Sequence, residues 1–223
     1  MTEFLQQLIN GLSLGSIYAL IALGYTMVYG VLRFINFAHS DVFMVGAFAG
    51  FYLAPGLGRL ISLPSMTGGL LVLVSAMLIC TGLGVVIEKL AYRPLRKRSS
   101  LTVLITAIGV SLFLQNGGQL IFGANPKSFP KLFPETELTA FKQSTGLIVS
   151  SNQMAVLTIA ILLMAGLQFI VLKTKIGTAM RAVSFNATAA ALVGINVDRI
   201  ISFTFGLGSA LAAAGGILYA LSY

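Results

Sequence analysis

The sequence predicts an all-α, polytopic helical membrane protein with about six transmembrane helices, one of them short or broken. The first reason is composition. Of 223 residues, 57% are hydrophobic and only 9% charged, where an average soluble domain carries about 25% charged residues. So much apolar surface does not fit into one soluble core, and lipid is its natural solvent. The second is the arrangement of that surface in six continuous runs, at roughly 8–31, 41–54, 68–90, 101–122, 152–172 and 200–222. They lack the alternation of barrel strands, which favours helices. The third is the gathering of bases in the loops between runs.

The first run carries Gly11, Gly15, Tyr18, Ala22, Tyr25 and Tyr29 at steps of three and four, hence on one helical face. Gly11 and Gly15 form a GxxxG of the kind that admits a neighbouring helix, and tyrosine hydroxyls seek partners away from lipid. This face is expected to look into the protein, as packing surface or, at the tyrosines, as part of a polar path. The N-terminus holds an acid and no base, unlike a cleaved signal peptide, so this run is expected to be retained. The second run, about 14 residues, is short for about 30 Å of hydrocarbon. It is expected either as a half-helix or as a span lengthened upstream. Just before it, "RFINFAHSD" packs Arg33, Asn36, the single histidine His39, Ser40 and Asp41 into nine residues.

The third run contains the lone cysteine, Cys80, which has no internal disulfide partner. The fourth places Thr102, Thr106, Gly109 and Asn116 on one face, with Gln115 and Gln119 beside it. Amides in hydrocarbon need bonds, so these either line a polar path or bind a neighbouring helix. The long connection at 123–151 is broken by Pro126, Pro130 and Pro134. It reads as a solvated connector, or as a cap on an outer mouth or a partner contact. In the loop before the last run, Ser184 or Asn186 is placed to cap a short helix through "ATAAALVG", which Gly194 would end. Leu192, Val193 and Ile195 would form its apolar foot. That helix reads as a docking element or as one resting on lipid headgroups. The last run has a small-residue seam of Gly208, Ala212 and Gly216.

Loop charge orients the chain. "YRPLRKR" holds Arg93, Arg96, Lys97 and Arg98; the loop after the fifth run holds Lys173, Lys175 and Arg181, followed by Arg199. Two spans separate these loops, so both can lie in the cytoplasm. Ten of the 14 bases then lie inside, with Met1 and the loops at 55–67 and 123–151 outside.

Several chemistries are poorly supplied. No histidine, cysteine or carboxylate spacing suggests a metal site, and no cofactor is expected. One histidine and six acids leave little for acid–base catalysis, so no catalytic residue is assigned and the chain is not expected to be an enzyme. "GLQFIVLKT" lacks the glycine a phosphate loop needs before its lysine. The net charge of +8 sits in short loops between apolar runs and does not read as a nucleic-acid surface.

Three blocks carry a resemblance: "GLSLGSIYALIALGYTMVYGVLRFINFAHSDVFMVGAFAG", "EKLAYRPLRKRSSLTVLITAIGVSLFLQN" and "GTAMRAVSFNATAAALVGINVDRIISFTFGLGSALAAAGGILY". Together they closely resemble the H-type permease of bacterial branched-chain amino acid ABC transporters, in the same order over nearly the whole chain. The resemblance implies a multi-pass inner-membrane permease surrounded by membrane lipid. Its implied partners are a second, homologous permease subunit, two cytoplasmic ABC ATPases and a periplasmic substrate-binding protein. Urea, amides or other amino acids are alternative cargoes, and an ion-coupled secondary transporter is a weaker alternative class. The resemblance favours the docking reading of a cytoplasmic coupling loop at 174–199, with Arg181, Ala189, Ala190, Gly194 and Asp198 as contact candidates. It also makes Asn36, His39 and Asp41 candidates for the substrate path, beside Tyr25 and Asn116. Such permeases usually carry glycine where Ser40 stands, so a tight turn there would need negative φ or tolerate strain. They also usually continue for several dozen residues, so 1–223 is expected to be a single permease domain incomplete at its C-terminus.

Local physics offers a plainer reading of "RFINFAHSD". Arg33 would face the first helix's C-terminal dipole, Ser40 would cap the next helix and Asp41 would suit its first turn. If instead that helix starts within the membrane at Asp41, its amides would aim at the path and attract a substrate carboxylate.

Overall fold

The computed structural model describes residues 2–59, 61–96, 98–134, 147 and 149–222. Lys97 and most of the connection at 135–148 therefore lie outside the described residues. Among these residues the order is α1 (Thr2–Leu32), α2 (His39–Leu57), α3 (Met66–Ile87), α4 (Ser100–Phe122), α5 (Ser151–Lys173), α6 (Lys175–Phe185), α7 (Ala187–Leu192) and α8 (Val197–Ser222). Six stretches are long and apolar enough to span a membrane, including α2 and an α3 continued to Leu95. The short second run is thus a helix of 19 residues. It gains His39 and Ser40 upstream and runs through Pro55, whose missing N–H is tolerated close to the helix end.

Helix α8 is the axis. Of its most apolar stretch 78% is buried, against 17–33% for the other spans, and α1, α2 and α3 pack most extensively on it. Small residues allow this. A Cβ on Gly46 of α2 would collide with Ala213, and one on Gly216 would collide with the Phe43 carbonyl. A Cβ on Gly208 would stand 2.9 Å from Val28 and 3.2 Å from the Gly24 carbonyl of α1. Without an aqueous hydrophobic drive between helices, such backbone approach supplies the van der Waals contact that holds spans together.

Helix α1 turns the other way from expectation. Its buried stripe is Ser13, Ser16, Ile17, Leu20, Gly24 and Val28. Gly11, Gly15, Tyr18, Ala22 and Tyr29 are exposed on the opposite face, and a Cβ on Gly11 or Gly15 would meet nothing within 4 Å. Both faces have helical spacing, and a helix apolar all round gives periodicity no means of choosing between them.

The inner connection is more structured than one short helix. Ser150 and Gln153 form a capping box at the start of α5. At its other end the chain re-enters a helix at once as α6, which buries Gly177, Met180 and Val183. Its charged residues hid this helix in the sequence. Asn186 then caps α7 by accepting from Ala189 N–H at 3.0 Å, while Ser184 Oγ donates to Gly30 O. Gly194 ends α7 with φ of 88°. The amides of Gly194 and Ile195 donate to Ala191 and Ala190 at 3.0 Å each, a double bond pattern that needs the left-handed residue.

Candidate functional site

The segment between α1 and α2 turns back along α1. Helix α1 ends at Leu32, and Arg33 follows with φ of 58°, its N–H donating to the Tyr29 carbonyl at 2.7 Å. Arg33 is thus the left-handed residue of this segment, while Ser40, inside α2, keeps the negative φ its side chain needs. The Arg33 guanidinium does not sit over α1's own terminus. It donates to Ser184 O at 2.9 Å and Phe185 O at 3.3 Å, at the C-terminus of α6, where a cation suits the helix dipole. Ser184 Oγ returns a bond to Gly30 O at 2.6 Å. These bonds clamp the C-terminal ends of α1 and α6 together.

From that clamp the chain climbs to His39. A Cβ on Gly24 would lie 3.2 Å from the His39 ring, so the two residues are level. Gly24 is eight residues before the end of α1, about 12 Å at 1.5 Å per residue. The start of α2 is therefore recessed well behind the C-terminal end of its neighbour. Ser40 does not cap it. Ala38 holds the N-cap position with no side-chain bond, and Ser40 Oγ donates back to Phe37 O at 3.2 Å. The helix starts at His39, two residues before the expected Asp41. Its amides at His39, Asp41 and Val42 donate to the carbonyls of Asn36 and Ala38, which leaves little of the expected anion-attracting end.

Asn36, His39 and Asp41 are buried at 7%, 3% and 4% exposure. Asn36 Oδ1 accepts from Tyr92 Oη at 2.7 Å. Asp41 Oδ1 accepts from Gln115 Nε2 at 3.0 Å, and the same amide reaches Ser111 Oγ at 3.1 Å. His39 Nε2 and Asp41 Oδ2 have no hydrogen-bond partner among the described residues. A buried polar atom without a partner in a chain this apolar is costly. His39 and Asn36 line a cleft of about 350 Å³ with Tyr18, Ile21, Tyr25 and Thr26 of α1. The Tyr25 and His39 rings meet edge-on with centroids 5.8 Å apart.

The structure thus gathers Tyr25, Asn36 and His39 in one cleft and turns Asp41 toward α4. Asn116 stands apart: exposed, it donates to its own helix at Leu112 O over 2.7 Å. Gln115, one residue earlier, is the α4 amide that reaches α2. Both amides were visible in the sequence, but a one-residue step, 100° around the helix, decides which reaches α2.

A second polar cluster was not anticipated. After Ile87 the α3 helix loosens into a π-helical turn, Glu88–Tyr92, and then a 3₁₀ turn, Arg93–Leu95. Such turns often mark functional positions. Glu88 is 0% exposed. It is paired with Arg96 and accepts from Ser202 Oγ at 2.5 Å. Arg96 also bonds Asp198 at 2.9 Å, and Arg93 pairs with the same carboxylate. Burial draws the Arg96 guanidinium below its ordinary pKa, while Asp198 acts in the opposite sense. This network ties the end of α3 to the start of α8, directly after α7.

Of the residues proposed for docking, Arg181 is exposed and tied to Val171 O at the end of α5, and Asp198 belongs to the ion network. Ala189 and Gly194 face outward, but Ala190 is buried at 3% exposure. The apolar foot is Phe185, Leu192 and Val193, exposed at 86%, 85% and 77%. Ile195, expected in that foot, packs inward.

Residues 7–223 match the family described as branched-chain amino acid transport system, permease component. The chain belongs to that family. It is 40% identical over 222 residues to the high-affinity branched-chain amino acid transport system permease protein BraD of Pseudomonas aeruginosa, covering 99% of this chain and 72% of that protein. It is 40% identical to the corresponding LivH of Escherichia coli K12, covering 99% of this chain and 71% of the relative. A probable LivH of Methanocaldococcus jannaschii is 31% identical over 215 residues, covering 91% of this chain and 62% of the relative. No solved structure matches. The permease family and the six apolar spans make this a multi-pass membrane transport component and not an enzyme.

Proposed function

We propose that this chain is the membrane-spanning permease subunit of an ATP-driven importer of branched-chain amino acids in the bacterial inner membrane. A periplasmic binding protein delivers the substrate, and separate ATPase subunits supply the energy. The finer assembly within this proposal is one related permease beside this chain and two ATPases. Family membership supports the cargo and the machine. The observation that carries the mechanism is the recessed start of α2, with buried Asn36 and His39 opening on a cleft against α1.

In this reading the cleft with Tyr25, Asn36 and His39 borders the substrate path, and the outward small-residue face of α1 lies toward the second permease. The exposed foot of α7 and the end of α6 dock on an ATPase. Arg33 and Ser184 join α6 to the segment that positions His39, so a shift of the docked helices is transmitted to the cleft. The deciding experiment is uptake of labelled leucine by proteoliposomes holding all subunits. Uptake should require ATP and the binding protein. Uptake supported equally by an ion gradient without ATPase would refute the proposal in favour of ion-coupled transport, with Asp41 the acid to examine. A urea or amide cargo would show in a ligand panel on the binding protein.

A further inference from the structure

A second cavity, of about 840 Å³, opens along the middle of α2, between α2, α4, the end of α8 and the start of the outer connection. Its size is in the range of small-molecule sites. We infer that it is an outer binding site for an α-amino acid with an apolar side chain, occupied before the substrate reaches the His39 cleft. The inference rests on the permease reading and specifies where the cargo is first held.

The walls are aromatic. Phe43, Phe48 and Phe51 of α2 face Phe129 of the connection and Tyr219 of α8. Such rings suit an aliphatic side chain. Among the described lining residues none is acidic, while Lys127 and Lys131 both contribute. Lys127 is held in place: Nζ lies 5.5 Å from the Phe51 ring centroid and 4.8 Å from that of Tyr52, and it donates to Tyr52 Oη at 2.5 Å. An ammonium has three donors, so the bond to Tyr52 leaves capacity for a carboxylate. The aromatic faces fix its position at little cost in charge. Pro126 precedes it directly and stiffens the loop there. Gln119 and Asn125 line the same space and supply amide oxygens to a substrate ammonium.

One residue from the wall of each cavity stands beside Gly215. Phe43 lines the outer one and Ile21 the inner cleft. Both stand beside Gly215, where a Cβ would lie 3.1 Å from Ile21 and 3.6 Å from Phe43.

The test uses the chain in nanodiscs with its partner subunits but without the binding protein, probed with radiolabelled L-leucine. Saturable binding is expected, weakened at least tenfold by Lys127→Met and by Phe51→Ala, retained by Lys127→Arg, and unchanged by Arg59→Met, an outer base away from the cavity. L-leucinol, which lacks the carboxylate, should compete at least tenfold less well than leucine. Unchanged leucine affinity in Lys127→Met overturns the inference. So does an absence of saturable binding in a preparation that performs ATP-driven uptake once binding protein is added. Failure of that uptake in wild type counts instead against the permease reading, so the two failures are separable.

Discussion

Gly24 lies against both His39 and the Gly208 carbonyl: a Cβ at Gly24 would stand 3.2 Å from the imidazole and 3.1 Å from that oxygen. This three-way contact of α1, α2 and α8 sets how far the start of α2 is recessed. Gly24→Ala should destabilise the protein by about 1–3 kcal/mol, because a backbone oxygen cannot yield as a side chain can. Gly15→Ala, which meets nothing within 4 Å, should stay within about 0.5 kcal/mol. Denaturation of the purified protein in detergent compares the two. Equal effects would mean that the Gly24 contact does not set the packing.

The outward face of α1 leads to a second comparison. In the chain alone Gly11→Leu and Gly15→Leu should leave stability unchanged, since neither glycine has a neighbour there. In the assembled transporter they should reduce co-purification of the second permease. Normal assembly of both variants would place that interface elsewhere.

The cleft makes a functional prediction. His39→Ala and Asn36→Ala should lower leucine uptake several-fold with the protein still inserted. Tyr92→Phe removes the 2.7 Å bond to Asn36 and should cost about 1 kcal/mol, with a milder loss of uptake. Full uptake by both alanine variants would end the case for a path along this cleft.

The ion network separates buried from exposed charge. Glu88→Ala leaves Arg96 without its fully buried partner and should cost about 3–5 kcal/mol. Arg93 and Asp198 are 46% and 47% exposed at their side chains, so Arg93→Ala should cost about 0–1 kcal/mol. Thermal unfolding of the two variants checks the order. A loss at Arg93 equal to that at Glu88 would contradict the burial argument.

Gly194→Val tests the coupling element. The left-handed φ of 88° disfavours a β-branched residue, so the end of α7 should distort while the six spans still insert. ATPase subunits should then co-purify poorly, or turn over ATP without uptake. Arg33→Ala, which removes the Arg33 bonds of the clamp between α6 and α1 and leaves the Ser184–Gly30 bond, should keep docking and lower uptake. Unaltered ATPase association and uptake in Gly194→Val would remove the docking assignment.

Much of this was open to reading in the sequence, for a simple reason. Apolar runs of 20 residues or more commit the chain to helices in lipid whatever their neighbours are. The three matched blocks carried the permease family with them. The end of α7 was legible at Gly194 and its start at Asn186, because caps are local chemistry. Helix α6 was not, since its apolar stripe is narrow and set among charged residues.

Rotation, depth and pairing belonged to the tertiary structure. Spacing placed Tyr18, Tyr25 and Tyr29 on one face of α1 but could not say that packing on α8 turns the opposite stripe inward. It placed amides on α4 but could not choose Gln115 over Asn116. It marked "RFINFAHSD" as unusual, yet only the contact of His39 with Gly24 shows that α2 begins two helical turns behind the end of α1. Glu88, Arg96, Ser202 and Asp198 are scattered over more than a hundred residues, and no local rule joins them. The sequence by itself determined a helical membrane permease, because hydrophobicity and cap chemistry act over a few neighbouring residues. Which face meets which, and how deep a polar turn sits, was decided by the fit of small residues along α8, a property of several helices at once.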